Sequence, residues 1–188
     1  MLYFPNWFNI TAKANFEALI PNDMKENPDA LALQIGVYTG DATEWLATNT
    51  KWIINDVDTW EGSQEEAHEQ MDFNEVEVVY DSRHADNASV HKFKMTSDAF
   101  FNNYAYAPNT YDFVYIDGDH TASQTAKDGL NAFALLKSGG IIAFDDYTWK
   151  SNKGSFYDPR PGIDAFYHVC QELLEVLVIN DQAWFKKK

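Results

Sequence analysis

Residues 30–49 read ALALQIGVYTGDATEWLATN and join an apolar run to a helix-forming segment through two glycines. The run ALALQIGV is almost continuously apolar, which is typical of a strand buried on both faces of a sheet. Asp41 and Glu44 have the spacing of a capping box, so we expect Asp41 to be the N-cap of a helix. The segment therefore predicts a strand, a loop with Gly36 and Gly40, and a helix.

Apolar strands and helical segments alternate along the rest of the chain. The pattern predicts further strands at residues 51–58, 90–95, 111–117 and 141–146. It predicts helices at residues 9–20, 97–104, 121–137 and 161–174. Gly139-Gly140 is expected to end the third of these helices, and a strand pair around Asn180 and Asp181 closes the chain. This order predicts an α/β fold in one domain of residues 1–188, with a Rossmann-like, doubly wound, mainly parallel sheet and a C-terminal antiparallel strand pair.

The composition indicates a globular protein and narrows its partners. The 188 residues include 29 acidic and 14 basic ones, and the formal charge of −15 disfavours a nucleic-acid partner. No apolar stretch reaches the ~20 residues of a membrane span. The single cysteine, Cys170, fits a reducing compartment. We therefore expect a cytoplasmic protein that acts on a small molecule or glycan and binds neither nucleic acid nor membrane, with a homo-oligomer left open.

Two of the predicted strands end in carboxylates. YIDGDHTA, residues 115–122, carries Asp117, and IIAFDDYTW, residues 141–149, carries Asp145 and Asp146. The tips of neighbouring strands lie ~5 Å apart, and at ~4 Å two like charges repel by about 4 kcal/mol at an effective dielectric near 20. Either some of these groups are protonated or a cation lies between them, and an all-oxygen set favours Mg²⁺ before Ca²⁺ or Mn²⁺. The alternative is that the acids serve only turn and cap chemistry.

The glycine loop QIGVYTG resembles the first loop of class I S-adenosylmethionine-dependent methyltransferases, in which an acid precedes two glycines after a buried strand. Gln34 stands at the position of that acid. The segments QIGVYTGDATEWL, VDTWEGS and YIDGDHTASQTAKDGLNAFALLKSGGIIAFDDYTW together resemble the methyltransferase-twenty-four group, which is related to catechol and macrolide-sugar O-methyltransferases. The resemblance covers most of the chain, and residues 113–149 are its most specific part.

The resemblance implies a site for S-adenosylmethionine around the glycine loop. The implied cofactor-binding residues are Gln34, Gly36, Tyr38, Gly40, Asp58, Ser97, Asp98 and Asp117. In this family an acid at the end of the second strand binds the ribose hydroxyls, and the matching residue is Asp58, with Asp56 as the alternative. Ser97 and Asp98 are expected near the adenine, unless the segment is an ordinary helix start with Thr96 or Ser97 as N-cap.

The resemblance also implies a metal-assisted reaction at the strand tips. Asp117, Asp145 and Asp146 match the residues that hold a divalent ion in the catechol-type enzymes. His120, which we group with Asp117 as catalytic, falls where relatives have a general base. A histidine with an unperturbed pKa of about 6.5 can accept a proton at neutral pH. Asp119 is an extra acid, for which we expect helix capping before orientation of His120 or metal binding.

These features predict a metal-assisted O-methyltransferase that acts on a hydroxyl of a small molecule, such as a sugar. The acceptor pocket is expected to come from loops 60–89 and 147–161. An NAD-linked oxidoreductase is the first alternative, although its loop would contain a third glycine. A non-catalytic S-adenosylmethionine-binding protein is the second, and Gln34 is the feature that favours it.

Overall fold

The computed structural model describes residues 4–63, 66–104 and 108–188. The helices are α1 (Trp7–Thr11), α2 (Lys13–Leu19), α3 (Asn22–Lys25), α4 (Asp41–Asn49), α5 (Phe73–His84), α6 (Ser97–Asn103), α7 (Ala122–Leu135) and α8 (Pro159–Cys170). The strands are β1 (Leu31–Ile35), β2 (Ile53–Asp58), β3 (Val90–Lys94), β4 (Tyr111–Ile116), β5 (Leu136–Phe144), β6 (Leu174–Ile179) and β7 (Ala183–Lys187). Among these helices, none is both long and apolar enough to cross a membrane.

The strands form one sheet in the order β3-β2-β1-β4-β5-β7-β6. β1 to β5 run parallel, and β7 lies antiparallel between β5 and β6. The predicted Rossmann-like, mainly parallel sheet with a C-terminal antiparallel pair is therefore confirmed. The order of strand addition reverses between β1 and β4, and in such sheets ligands bind beyond the carboxyl ends of the strands at this position.

Helices cover both faces of the sheet because its central strands are apolar on both sides. Along β4, Phe113 and Tyr115 point into one core, while Val114 and Ile116 point into the other. Phe16 of α2 packs edge-on in the first core, 5.5 Å from Phe113 and 5.0 Å from Tyr115. The second core contains residues of α7 and α8. The resulting three layers leave the strand ends open for a site.

Gly36, the residue after β1, lies where β1 and β4 approach each other most closely. The Asp117 amide donates to the carbonyl of Ile35 at 2.8 Å, so the pairing of the two strands continues one residue beyond the end of β4. Gly36 has φ of +81°, and a Cβ atom at this position would lie 2.0 Å from the Asp117 carbonyl oxygen. Only glycine can occupy such a position, because any side chain would overlap with the backbone of β4.

Two predicted helix boundaries at the N-terminal side are wrong. The N-cap of α4 is Gly40, with φ of +81°, and Asp41 lies in the first turn. The Asp41 carboxylate instead accepts from the Thr39 hydroxyl at 3.0 Å and contacts Arg83 at 2.7 Å. The helix predicted for residues 9–20 is two helices, α1 and α2, which meet at Ala12.

The predicted role of Gly139-Gly140 as a helix end is also wrong. α7 ends at Leu135, and both glycines lie inside β5. The pairing of β4 with β5 is irregular between Tyr111 and Phe113, and Gly139 has φ of +82°. Leu136 pairs with Tyr111 and Ile141 pairs with Phe113, so both glycines lie in a bulge between paired residues of β5.

Gly36→Ala is expected to destabilise the protein more than Gly139→Ala. Both glycines have nearly the same positive φ, but an added Cβ overlaps with the Asp117 backbone at position 36 and meets nothing within 4 Å at position 139. A backbone strain of about 1–2 kcal/mol from the positive φ is common to both variants. The difference between their losses of unfolding free energy therefore measures the overlap of the added Cβ with the Asp117 backbone. Denaturant unfolding of both variants provides this difference, and equal losses of unfolding free energy would contradict the steric argument.

Candidate active site

The loop between β1 and α4 is held by the carboxylate of Asp58, the last residue of β2. Its Oδ2 accepts hydrogen bonds from the amides of Val37 at 2.7 Å and Tyr38 at 3.0 Å. Its Oδ1 accepts one from the Trp60 amide at 2.7 Å, and the Trp60 indole donates to the Tyr38 carbonyl at 2.9 Å. Tyr38 has φ of +56°, which is uncommon for residues other than glycine. The end of β2 therefore holds the loop in a strained turn.

Gln34 supports the same loop from the interior. The side chain is 2% exposed, and its Nε2 donates to the Gly36 carbonyl at 3.1 Å. Its Oε1 accepts from the Thr43 hydroxyl at 3.4 Å. Gln34 therefore connects β1, the glycine loop and α4.

Asp56, the alternative ribose-binding acid, is completely buried. Its Oδ2 accepts from the hydroxyls of Thr43 and Tyr80, each at 2.8 Å. Burial raises the pKa of Asp56 to about 7. Asp58 is partly exposed at the strand end, so it is the β2 acid that a ligand can reach.

Ser97 and Asp98 begin α6 and contact α7. The N-cap is Thr96, whose hydroxyl accepts from a first-turn amide at 3.1 Å. Gln124 Nε2 donates to Ser97 Oγ at 3.1 Å and to Asp98 Oδ1 at 3.2 Å. Hydrogen bonds from Lys127 and Gln124 lower the pKa of Asp98. Of the two cap candidates, the structure therefore selects Thr96.

The tips of β4 and β5 bring two carboxylates and one imidazole together. The Nε2 atom of His120 lies 3.6 Å from Asp117 Oδ1 and 3.3 Å from Asp146 Oδ2. One ligand atom from each of these residues lies within 4.8 Å of the other two. The side chains are 12% exposed for His120, 34% for Asp117 and 27% for Asp146, so the group is accessible from solvent. Carboxylate oxygens with an imidazole nitrogen can hold a divalent cation.

Asp145 points away from this group and into the interior. It is 7% exposed, and its Oδ2 accepts from the Tyr115 hydroxyl. Its Oδ1 accepts from Gln182 Nε2 at 3.1 Å and from the Asp146 amide at 2.9 Å. The third member of the converging group is therefore His120 and not Asp145, which the sequence predicted. The physical reason is that Asp145 continues the side-chain alternation of β5, whereas Asp146 turns outward with φ of +58°.

Two carboxyl groups at the strand tips have raised pKa values. Loss of hydration around the Asp117 carboxyl and the charge of Asp145 raise the pKa of Asp117 well above its ordinary value, and the nearby His120 opposes this rise. Burial also raises the pKa of Asp145, against the hydrogen bond from Tyr115. Burial and the charge of Asp145 raise the pKa of Tyr115, which therefore remains a hydrogen-bond donor.

Sequence reasoning missed the side chains that hold Asp145. Gln182 is fully buried, and its Oε1 accepts from Asn15 Nδ2 of α2 at 2.8 Å while its Nε2 donates to Asp145. Tyr115 stands two residues before Asp117, a spacing that places both side chains on one face of the strand end, so this residue could have been found. Gln182 is 37 residues from Asp145 in sequence, and no local pattern indicates their contact.

A cavity of about 270 Å³ lies beside His120. Its lining residues are Ser63, Glu66, Ala67, Asp119, His120, Thr121, Trp149, Lys150, Ser151, Asn152, Lys153 and Tyr157. The ring of Trp149 lies edge-on to the His120 imidazole at 5.1 Å. Asn152 Nδ2 donates to Glu66 Oε2 at 3.1 Å and so connects the two walls. These walls belong to the loops from which the sequence predicts the acceptor pocket.

Asp119 supports the turn that precedes α7. Its Oδ1 accepts from the Thr121 amide at 2.7 Å. The N-cap itself is Thr121, whose hydroxyl accepts from the Gln124 amide at 3.4 Å. The expected capping role of Asp119 is therefore wrong, because Thr121 is the N-cap, and Asp119 also lies outside the group of converging ligand atoms.

The methyltransferase domain family matches residues 33–147, which is more than half of the 188 residues. The chain therefore belongs to this family, the methyltransferase-twenty-four group that its glycine loop and strand-tip acids resemble. It is an S-adenosylmethionine-dependent methyltransferase, and this class replaces the NAD-linked alternative. A comparison with curated proteins finds no match.

Solved methyltransferase structures share the fold at low sequence identity. A putative rRNA-methylase from Clostridium thermocellum has a TM-score of 0.68 and 15% identity, with 100% of both chains covered. An O-methyltransferase from Bacillus cereus, in complex with SAH, has a TM-score of 0.60 and 17% identity, with 100% of this chain and 93% of that chain covered. Fibrillarin from Aeropyrum pernix, with natively bound S-adenosyl-L-methionine, has a TM-score of 0.59 and 16% identity over 94% of this chain and 73% of that chain.

Asp56→Asn is expected to stabilise the protein increasingly as the pH rises. The folded protein raises the pKa of Asp56 from 3.8 to about 7, so between these values the folded state holds a proton that the unfolded state has released. The contribution of this proton to the free energy of unfolding is therefore complete below the unfolded-state pKa. It is lost as the pH rises through the folded-state pKa. The full loss is on the order of 4 kcal/mol, of which about 3 kcal/mol falls between about pH 5 and about pH 8. Denaturant unfolding at about pH 5 and about pH 8 measures it, and a parallel pH dependence in the variant and the original protein would contradict this account.

Proposed function

We propose that this protein is an O-methyltransferase that transfers the methyl group of S-adenosylmethionine to a hydroxyl of a small molecule, such as a sugar, with the assistance of a divalent cation. The observation that carries the proposal is the position of His120. Its Nε2 lies 3.6 Å from Asp117 and 3.3 Å from Asp146, and the residue lines the cavity of about 270 Å³. An imidazole at this place can reach both a cation between the carboxylates and a hydroxyl in the cavity.

The residues at the end of β1 fit S-adenosylmethionine. We assign the cofactor contacts to Gln34, Gly36, Tyr38, Gly40, Asp58, Ser97, Asp98 and Asp117. The close contact of Gly36 with the Asp117 backbone places the glycine loop beside the end of β4. Asp58 Oδ1 accepts one hydrogen bond and can accept a second, so Asp58 can bind a ribose hydroxyl and still hold the loop. Burial raises the pKa of Tyr38 to about 12, which keeps its hydroxyl neutral.

The catalytic step requires that the acceptor hydroxyl lose its proton as the new carbon–oxygen bond forms. A divalent cation, when bound, makes a neighbouring hydroxyl more acidic. We assign the proton to His120 Nε2, since the two nearby carboxylates stabilise the imidazolium that results. The glycine loop and the cavity hold the two reactants, and such positioning supplies a large share of the acceleration.

Asp117 and Asp146 are the residues that we assign to the cation, with His120 beside them. The oxygen atoms of these two carboxylates are ligands that suit Mg²⁺ or Mn²⁺, which leaves His120 Nε2 to accept the proton. For Asp145 we propose a supporting role, because its oxygens already accept three hydrogen bonds. One of these comes from the Asp146 amide, so Asp145 fixes the direction of its neighbour.

His120→Gln is expected to reduce kcat/KM for methyl transfer by about 10²–10⁴-fold, because glutamine cannot accept the proton. Binding of S-adenosylhomocysteine should be unchanged, since His120 is not among the assigned cofactor contacts. Formation of S-adenosylhomocysteine with a panel of catechols and sugars provides the measurement. His91→Gln, in an exposed position of β3, is the control. An unaltered rate in His120→Gln would overturn the proposed role, and the absence of transfer to every acceptor in the panel favours the non-catalytic alternative.

Removal of divalent cations with a chelator is expected to abolish methyl transfer, and added Mg²⁺ should restore it. Asp146→Asn should weaken Mn²⁺ binding, followed by electron paramagnetic resonance, by about tenfold or more. Asp119→Asn is the matched control, because that carboxylate accepts from the Thr121 amide outside the converging group. A loss of Mn²⁺ binding in the Asp119 variant with none in the Asp146 variant would overturn the proposed ligand set.

A further inference from the structure

One wall of the cavity carries a lysine that has no acidic partner. Lys150 follows Trp149, whose ring contacts His120 at 5.1 Å, and all three residues line the cavity. In the part of the chain that the structure describes, the Lys150 ammonium forms no ion pair. Lys92, by contrast, contacts two carboxylates at 2.7 Å and 2.6 Å. The lysine of the cavity is therefore available to a ligand.

The two acids of the cavity have other hydrogen-bond partners. Glu66 Oε2 accepts from Asn152 Nδ2 at 3.1 Å, and Asp119 Oδ1 accepts from the Thr121 amide at 2.7 Å. Both contacts fix the cavity walls, and neither acid forms an ion pair with Lys150. The positive charge thus has no neutralising contact among these neighbours.

The Lys150 ammonium is a positive charge in a strongly acidic protein. The chain has a formal charge of −15, so most of its surface repels an anion. At physiological ionic strength, exposed charges farther than about 8 Å are largely screened. An anionic ligand inside the cavity therefore responds mainly to the charges that line it, which are those of Lys150, Lys153, Glu66 and Asp119.

We propose that the acceptor is a hydroxylated molecule with a carboxylate group, which Lys150 binds while a hydroxyl lies at His120. This inference rests on the proposed function and adds the substrate class. Both Lys150 and His120 line the cavity of about 270 Å³, so one ligand can reach both. A doubly charged phosphate would be repelled more strongly than a carboxylate by Glu66 and Asp119, which also line the cavity.

Two pairs of ligands, each with a charged and a neutral group at one position, test the inference. The pairs are 3,4-dihydroxybenzoate with 3,4-dihydroxybenzamide, and galacturonate with galactose. Their dissociation constants are measured by calorimetry with Mg²⁺ and S-adenosylhomocysteine present. In at least one pair the acid should bind about fivefold more tightly, since an accessible ion pair contributes up to about 1 kcal/mol. The preference should decline in about 0.5 M salt because exposed charges are screened.

Two variants assign the preference to Lys150. Lys150→Gln should remove the preference for the acid without changing the affinity of the neutral partner, and Lys150→Glu should invert it. Lys51→Gln is the control, because Lys51 is exposed and contacts Glu26 at 2.6 Å outside the cavity. Equal affinities within both pairs, no binding of any of the four ligands, or a preference that survives in Lys150→Glu would each overturn the inference.

Measurements of methyl transfer with the same ligands distinguish a failure of this inference from a failure of the proposed function. If the neutral and the acidic member of a pair are methylated with the same kcat/KM, the inference of a carboxylate on the acceptor is overturned. The proposed methyltransferase reaction is then still supported. A Lys150-dependent preference in binding, without transfer to either member of a pair, would support the charge recognition and count against the proposed reaction.

Discussion

The close approach of β1 and β4 at Gly36 constrains the whole site. A side chain at this position would overlap with the backbone of Asp117, so the two strands can meet only at a glycine. The contact places the glycine loop beside Asp117, the first acid of the group at the strand tips. Parallel pairing of β4 with β5 then brings Asp146 to the same edge of the sheet. Backbone packing alone thus brings the glycine loop and the acidic group together.

A buried carboxylate connects this edge to distant parts of the chain. Burial of a charged group is costly unless donors replace its water, and Asp145 has three of them. Gln182, which precedes β7, provides one donor and is itself held by Asn15 of α2. The first helices and the last strand therefore support the acidic group, although they contribute no side chain to it.

Local sequence patterns predicted the fold well because apolar periodicity and glycine positions act over a few residues. The alternation of strands and helices, the antiparallel closing pair and the glycine loop are all present as predicted. The errors occur where a longer-range contact overrides a local preference. Asp41 forms an ion pair with Arg83 instead of capping α4. Gly139 and Gly140 lie within β5 instead of ending α7.

The succession of strands and the acids at two strand ends follow from local sequence, because both are properties of neighbouring residues. The folded chain selects Asp146 rather than Asp145 to face solvent, and it brings His120 to Asp146. That choice depends on donors such as Gln182, which is 37 residues from Asp145. A hydrogen bond across such a separation exists only once the sheet has formed, so no local pattern could specify it.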